Sequence, residues 1–270
     1  MKRIALYGKG GGGKSTVCSN LAFQLARMDQ KVIQIGCDPK GDSTLSLTGG
    51  RKIPTVVSLM ASRRISEIEV AEFLSTGESG VDCVEAGGPE PGVGCAGRGI
   101  VNVFQLVKRH DLLSRYDVAL LDVLGDVVCG GFAVPLMKGI SSTVAVVVAD
   151  NLMSMYAANN IARGVLRFER NGARLAGLIA NNLRRPEGRD EVAAFADRIG
   201  TRLLAVIPND ADIVQAERAR RLVSQTAPAS EAARLFSELA SNLISSEDQK
   251  ASPKPMGEAD FDEFVRTVIR

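Results

Sequence analysis

Residues Gly8-Lys9-Gly10-Gly11-Gly12-Gly13-Lys14-Ser15-Thr16 follow a short apolar run, Arg3 to Tyr7, and open a helical pattern, Ser15 to Met28. A glycine-rich turn that ends in Lys-Ser between a strand and a helix is the G-x-x-x-x-G-K-[ST] phosphate-binding loop, with Gly8 as its first glycine. The glycines let backbone N–H groups turn inward around a β-phosphate, and the helix N-terminus adds the positive end of its dipole. Lys14 then brings charge to the β/γ oxygens and Ser15 offers a ligand to Mg²⁺, so ATP or ADP with Mg²⁺ is the expected ligand. Lys9 is not demanded by the pattern. Its place just after the first glycine suits it to reach a phosphate across a dimer interface, an expectation of a charge acting in trans.

Five more apolar runs read as buried strands: Lys31 to Ile35, Val118 to Asp122, Val144 to Ala149, Leu175 to Ala180 and Leu203 to Ile207. Helical patterns between them, such as Met155 to Arg170, make the chain α/β, a P-loop NTPase with a doubly wound, mostly parallel sheet in a single domain. Ligands are then expected at the C-terminal ends of the strands. The Gly- and Pro-rich stretch Gly87 to Gly99 reads as an irregular loop inside the domain. Residues 1–244 read as the ATPase domain, and 245–270 as a polar linker carrying a last amphipathic helix, Phe261 to Arg270. His110 and Arg218-Ala219-Arg220-Arg221 read as parts of solvated helix faces.

Acids stand where a γ-phosphate and Mg²⁺ belong. The second strand runs into Asp38 and Asp42, and the strand Val118 to Leu121 runs into Asp122-Val123-Leu124-Gly125-Asp126. In a phosphoryl-transfer site one acid holds Mg²⁺ through water and another orients the attacking water. A lone Asp after a strand is more often a helix cap, but three around one phosphate loop make Asp38, Asp122 and Asp126 candidates.

The five cysteines, Cys18, Cys37, Cys83, Cys95 and Cys129, accompany no export signal and so read as thiols or metal ligands, not as a disulfide framework. Cys95 and Cys129 are each embedded in glycine, which allows backbone amides to approach a sulfur-rich ligand and donate to it. A four-iron cluster wants four thiolates, so two chains pairing across a two-fold axis would complete the set, an expectation of a homodimer. Cys18, Cys37 and Cys83 read as buried thiols.

Taken together, Gly8 to Thr16, Gly36 to Thr44, Cys83 to Gly99, Asp122 to Phe132 and Tyr156 to Asn160 closely resemble the nitrogenase iron protein family and its nitrogenase-like relatives. The resemblance covers most of the chain and implies one [4Fe–4S] cluster held by Cys95 and Cys129 of both subunits. It implies MgATP at Gly8, Gly10, Gly11, Gly12, Gly13, Lys14, Ser15 and Thr16, with Lys9 acting across the dimer. It assigns Asp38 and Asp42 to a first switch segment and Asp122 and Asp126 to a second, with Asp126 placed for hydrolysis, and it sets Asn181, Pro208 and Asp210 near adenine. Arg98 resembles the exposed arginine that such proteins present to a catalytic component. A ferredoxin or flavodoxin is the implied electron donor.

The segment Cys95-Ala96-Gly97-Arg98-Gly99 looks like the nitrogenase pattern and unlike protochlorophyllide reductases. Gly12 in place of the usual isoleucine, Asn182-Leu183-Arg184-Arg185-Pro186 and Pro208-Asn209-Asp210-Ala211 depart from nitrogenase wording. The resemblance therefore points to a divergent member, the reductase component of a methylthio-alkane reductase, with a true nitrogenase iron protein as the alternative. A partitioning or positioning ATPase without a cluster is the alternative of another class. A formal net charge of +2 with dispersed Lys and Arg gives no reason to expect nucleic acid. No apolar run approaches the roughly 20 residues a membrane span needs, and a cytoplasmic protein is expected.

Overall fold

The computed structural model describes residues 1–89, 97–123, 125, 130–137, 140, 143–245 and 252–269. In chain order the elements are β1 (Lys2–Tyr7), α1 (Lys14–Arg27), β2 (Val32–Gly36), α2 (Val56–Met60), α3 (Val70–Phe73), β3 (Ser75–Thr76), β4 (Asp82–Glu85), α4 (Gly97–Arg109), β5 (Val118–Asp122) and α5 (Gly130–Met137). They continue with β6 (Thr143–Val148), α6 (Leu152–Arg167), β7 (Arg174–Leu183), α7 (Gly188–Arg198), β8 (Leu203–Pro208), α8 (Ala211–Arg218), α9 (Val223–Thr226), α10 (Glu231–Ser245) and α11 (Glu258–Val268).

The strands form one sheet in the order β3-β4-β2-β5-β1-β6-β7-β8. Every pairing is parallel except β3 with β4. Both faces are covered, which is why the strands read as unbroken apolar runs. In β1, Ala5 and Tyr7 turn into the core beneath α4, α6 and α7, while Ile4 and Leu6 turn into the core beneath α1 and α10. Register places one straight row across four strands at the edge where the chain leaves the sheet: Leu6 opposite Asp122, Asp122 opposite Gly36, Gly36 opposite Glu85.

Three expectations need correction. The stretch Asp82-Cys83-Val84-Glu85 is a strand that no apolar run announced, because acids bracket it; Asp82 takes hydrogen bonds from Thr76 and Tyr116 hydroxyls, and Glu85 is buried. The loop expected over Gly87–Gly99 ends early, since Gly97-Arg98-Gly99 is already helical. A Cβ at Gly99 would stand 2.5 Å from the Gly87 carbonyl, so glycine here serves close packing and not looseness. His110 is half-buried, with Nε2 3.1 Å from the Ile68 carbonyl and its ring 6.0 Å from that of Phe73, so it ties α4 to the α3 region and does not simply face solvent.

The last helix packs on the core. Phe261 and Phe264 are buried, facing Tyr156 of α6 and Phe195 of α7 at ring separations of 5.5 and 5.8 Å. The described part of the preceding segment is docked too: buried Asn159 donates to the Met256 carbonyl at 2.9 Å and accepts from the Met256 N–H at 2.8 Å. Asn159→Ala leaves the Met256 N–H unpaired in a buried setting, while the Met256 carbonyl keeps the Arg163 guanidinium as a donor at 2.8 Å, and is expected to cost about 2 kcal/mol. The check is a urea midpoint together with faster proteolysis between residues 252 and 268; an unchanged midpoint would mean the segment contributes nothing to stability.

Candidate nucleotide site

Between β1 and α1 the chain turns through a glycine loop whose backbone does not suit ordinary residues at three positions. Gly8, Gly11 and Gly13 have φ of 145°, 80° and 82°, values at which a side chain is strained. A Cβ at Gly13 would lie 2.2 Å from Asn181 Nδ2, and that same amide donates to the Gly12 carbonyl at 2.9 Å. Asn181, expected near adenine, is thus a brace of the phosphate loop. Around Gly10 and Gly11 a Cβ would meet nothing within 4 Å, so the outer face of the loop is an open cradle. Lys14 is buried at the first turn of α1, while Lys9 is exposed on the loop's outer side.

Asp122, buried at the end of β5, joins the loop to the first acidic segment. Its Oδ2 accepts from Ser15 Oγ at 2.5 Å and from Ser43 Oγ at 2.5 Å. Burial pushes its carboxyl up, while Lys14 and the two hydroxyls pull it back toward the ionised form. Asp38 is half-buried and turns inward on its own chain, Oδ1 accepting from Lys40 N–H at 2.9 Å, whereas Asp42 is exposed. The arrangement fits MgATP. Ser15 presents its hydroxyl beside a buried carboxylate, Lys14 lies at a helix N-terminus, and two further acids flank the segment that Asp122 holds.

Pro208 ends β8, and the Asp210 carboxylate caps α8, accepting from Asp212 and Ile213 N–H at 2.8 and 3.3 Å. Asn209 of that turn donates to Asn182 Oδ1 at 2.7 Å, so the ends of β7 and β8 form one surface beside the loop. Between that surface and the loop, Lys9, Asp150, Asn151, Ser154, Asn182 and Arg184 line an open cavity of about 350 Å³. Asp150 fixes the chain after β7 by accepting from Arg184 and Arg185 N–H at 2.8 and 2.9 Å.

Asp126, Cys95 and Cys129 lie outside the described residues. What flanks the two cysteines is described: Cys95 stands two residues before α4 and Cys129 immediately before α5, and these helices pack together. A helix N-terminus favours a thiolate and an anionic cluster, so the flanks suit the ligand set that the sequence suggested. Cys18, Cys37 and Cys83 are buried free thiols; burial pushes all three up, Cys83 to about 12, as expected of cysteines that ligate nothing. Glu85, Ser43 and Gly125 fall inside the quoted sequence blocks but were given no role of their own, because their roles come from tertiary contacts. The row register sets Glu85 beside Gly36 and Asp122, the Asp122 carboxylate reaches Ser43, and Gly125 presses on the Gly8 carbonyl.

A family model described as 4Fe-4S iron sulfur cluster binding proteins, NifH/frxC family, matches residues 2–269. The chain is 43% identical over 272 residues to a nitrogenase iron protein of Methanospirillum hungatei, covering 100% of this chain and 96% of that protein. It is 44% identical over 267 residues to nitrogenase iron protein 2 of Methanothermobacter thermautotrophicus, covering 98% of both. In fold it is similar to the septum site-determining protein MinD with Mg-ADP from Pyrococcus horikoshii (TM-score 0.69, 20% identity, 91% of this chain and 97% of that one). A ParA family ATPase from Chlorobium tepidum gives TM-score 0.69 at 19% identity, covering 88% and 98%.

Proposed function

This chain belongs to the NifH/frxC family of 4Fe-4S cluster binding proteins, ATP-dependent electron-transfer reductase components that work as homodimers with a nitrogenase-like partner, and from that premise we propose that its partner is a methylthio-alkane reductase. One observation carries the choice of partner. The positions that depart from nitrogenase wording are neighbours in space: Gly12 is braced from β7 by Asn181, Asn182 of β7 is tied to Asn209, and Asp210 caps the next helix. Departures gathered on one surface beside the phosphate loop, Gly12 and the adenine-side residues included, support a divergent member with a different catalytic component, while Lys14, Ser15 and Asp122 keep their places.

In this reading Gly8 to Thr16 cradle MgATP, with Ser15 on Mg²⁺, Asp122 behind it, and Asp38, Asp42 and Asp126 arranging water and the switch segments. Lys9 reaches from the open cavity toward the nucleotide of the second protomer. Asn181, Pro208 and Asp210 border the adenine side. Cys95 and Cys129 of both protomers hold the [4Fe–4S] cluster, which when bound supplies single electrons at low potential. Arg98, exposed in the first turn of α4, marks the docking face for the catalytic component. A ferredoxin or flavodoxin recharges the protein in the cytoplasm. Among the described residues no helix is long and apolar enough to cross a membrane.

The test begins with iron and acid-labile sulfide after anaerobic purification, expected at about four of each per dimer. The reduced protein is then mixed with MgATP and either a methylthio-alkane reductase or a dinitrogenase catalytic component. Thiol release from a methylthio-alkane without ammonia formation is the expected result. Ammonia formation alone would assign the chain to a true nitrogenase, and a protein that neither carries nor accepts iron would move it to the cluster-free positioning ATPases.

A further inference from the structure

The first acidic segment is held from beneath by a residue outside the phosphate-binding pattern. Glu85 ends β4 with 0% of its surface exposed. Its Oε1 accepts from Thr44 N–H at 2.6 Å and from Thr44 Oγ1 at 2.7 Å. Its Oε2 is buried and has no hydrogen-bond partner among the described residues. A Cβ at Gly36 would lie 2.1 Å from that oxygen and 2.7 Å from Ser43 Cβ, so the carboxyl is wedged between β2 and the Ser43-Thr44 turn. Two buried acids thus hold adjacent residues of one segment, Asp122 through Ser43 and Glu85 through Thr44.

The two acids are not equivalent. Asp122 has Lys14 and two serine hydroxyls to offset its charge. Glu85 has Thr44 alone, and faces Asp122 from β5 and Asp42 from the segment itself, with the thiols of Cys83 on β4, Cys37 after β2 and Cys18 on α1 close enough to feel it. An ionised carboxylate there is half-partnered and repelled by its neighbours. Water reaches Oε2 only if Ser43 and Thr44 move.

We propose that Glu85 is a positioning residue for the nucleotide site: as a neutral acid it holds Thr44, and with it Asp38 and Asp42, in place, and on losing its proton to solvent it drives the segment away from β4. The consequence for the reaction rests on the nucleotide-site reading, whereas the latch stands on the geometry of Glu85 and Thr44. Burial, with Asp122 and Asp42 adding to it, pushes the Glu85 carboxyl up from its ordinary 4.5 to about 7 against the pull of the Thr44 bonds. The closed form therefore binds the proton more tightly than an opened form does. Closure is fully favoured below the ordinary value, weakens as pH rises toward about 7, and changes no further above it.

The experiment is amide hydrogen exchange at Thr44 and its neighbours in the full-length, nucleotide-free protein, corrected for intrinsic exchange, with MgADP added in a parallel series. Opening of the segment in the wild type is expected to rise about tenfold per pH unit between roughly 5.5 and 7 and then level off. Glu85→Gln, which keeps an acceptor for Thr44 and has no charge to gain, is expected to give a flat profile. Thr44→Val, which loses only the hydroxyl, is expected to open more at every pH while keeping the slope. A flat wild-type profile, or a wild-type slope retained in Glu85→Gln, overturns the latch. Should Glu85→Gln not fold, the wild-type and Thr44→Val slopes still decide. Protection of residues 8–16 by MgADP reports separately on the nucleotide reading, so either idea can fail without the other.

Discussion

Gly125→Ala is expected to yield a folded protein whose affinity for MgADP has fallen by about a hundredfold or more, a loss of roughly 2.7 kcal/mol. A Cβ at this position would stand 2.0 Å from the Gly8 carbonyl oxygen, 2.9 Å from the Gly10 nitrogen and 3.0 Å from the Lys9 carbonyl carbon. All three are backbone atoms, so no flexible side chain can swing aside. The phosphate loop cannot retreat either, because the Cα of Gly8 is itself pressed toward the Val147 carbonyl, which a Cβ there would meet at 2.3 Å. Something must shift by about an ångström, and whichever strand exit moves, the loop amides and Asp122 cease to face one ligand together. The sheet below is untouched, since the collision lies beyond the ends of β1 and β5, and thermal unfolding should change little. Calorimetric titration with MgADP is the measurement; affinity within threefold of wild type would show that the two exits yield freely.

Cys95→Ala and Cys129→Ala are each expected to take cluster iron from about four per dimer to none. In the proposed ligand set each chain contributes two of four thiolates, so either substitution would remove half the ligands from a shared cluster, and the two variants should fail alike. The control is Cys37→Ala: that thiol is buried and pushed up by burial, with Asp122 and Glu85 adding to it, so it stays protonated and out of reach of a metal. Cys37→Ala should retain full iron while losing some stability to the space it leaves in the core. Iron retained in either Cys95→Ala or Cys129→Ala, or lost in Cys37→Ala, would mean that the ligand set is different.

Much of this architecture was legible in the sequence, because a sheet covered on both faces writes its strands as plain apolar runs. β1, β2, β5, β6, β7 and β8 fall where Arg3 to Tyr7, Lys31 to Ile35, Val118 to Asp122, Val144 to Ala149, Leu175 to Ala180 and Leu203 to Ile207 predict, within a few residues at their ends. β4 was hidden because Asp82 and Glu85 carry formal charges that only the tertiary structure accommodates. The glycine loop between a strand and a helix was legible too, since it lies in a local pattern. The roles of Ser43 and Glu85 were not, because the first matters for the oxygen it shares with Ser15 and the second for an oxygen left without a partner among the described residues. Asn181 and Asp210, placed near adenine by resemblance, also carry local work that no resemblance suggested, one bracing Gly12 and the other capping α8.

The straight row Leu6, Asp122, Gly36 and Glu85 makes the sheet a ruler with its zero mark at one edge. Adding or removing a single residue inside β5 would slide Asp122 past Ser15 and Ser43 together and turn every following side chain to the opposite face. The same change in the turn at Asp29 and Gln30, before β2 begins, would be absorbed at the far edge and leave the marks aligned. Length variation in relatives and engineered insertions should therefore be tolerated at one rim of this sheet and forbidden at the other, so that the chemistry is protected by where the chain is allowed to change its length.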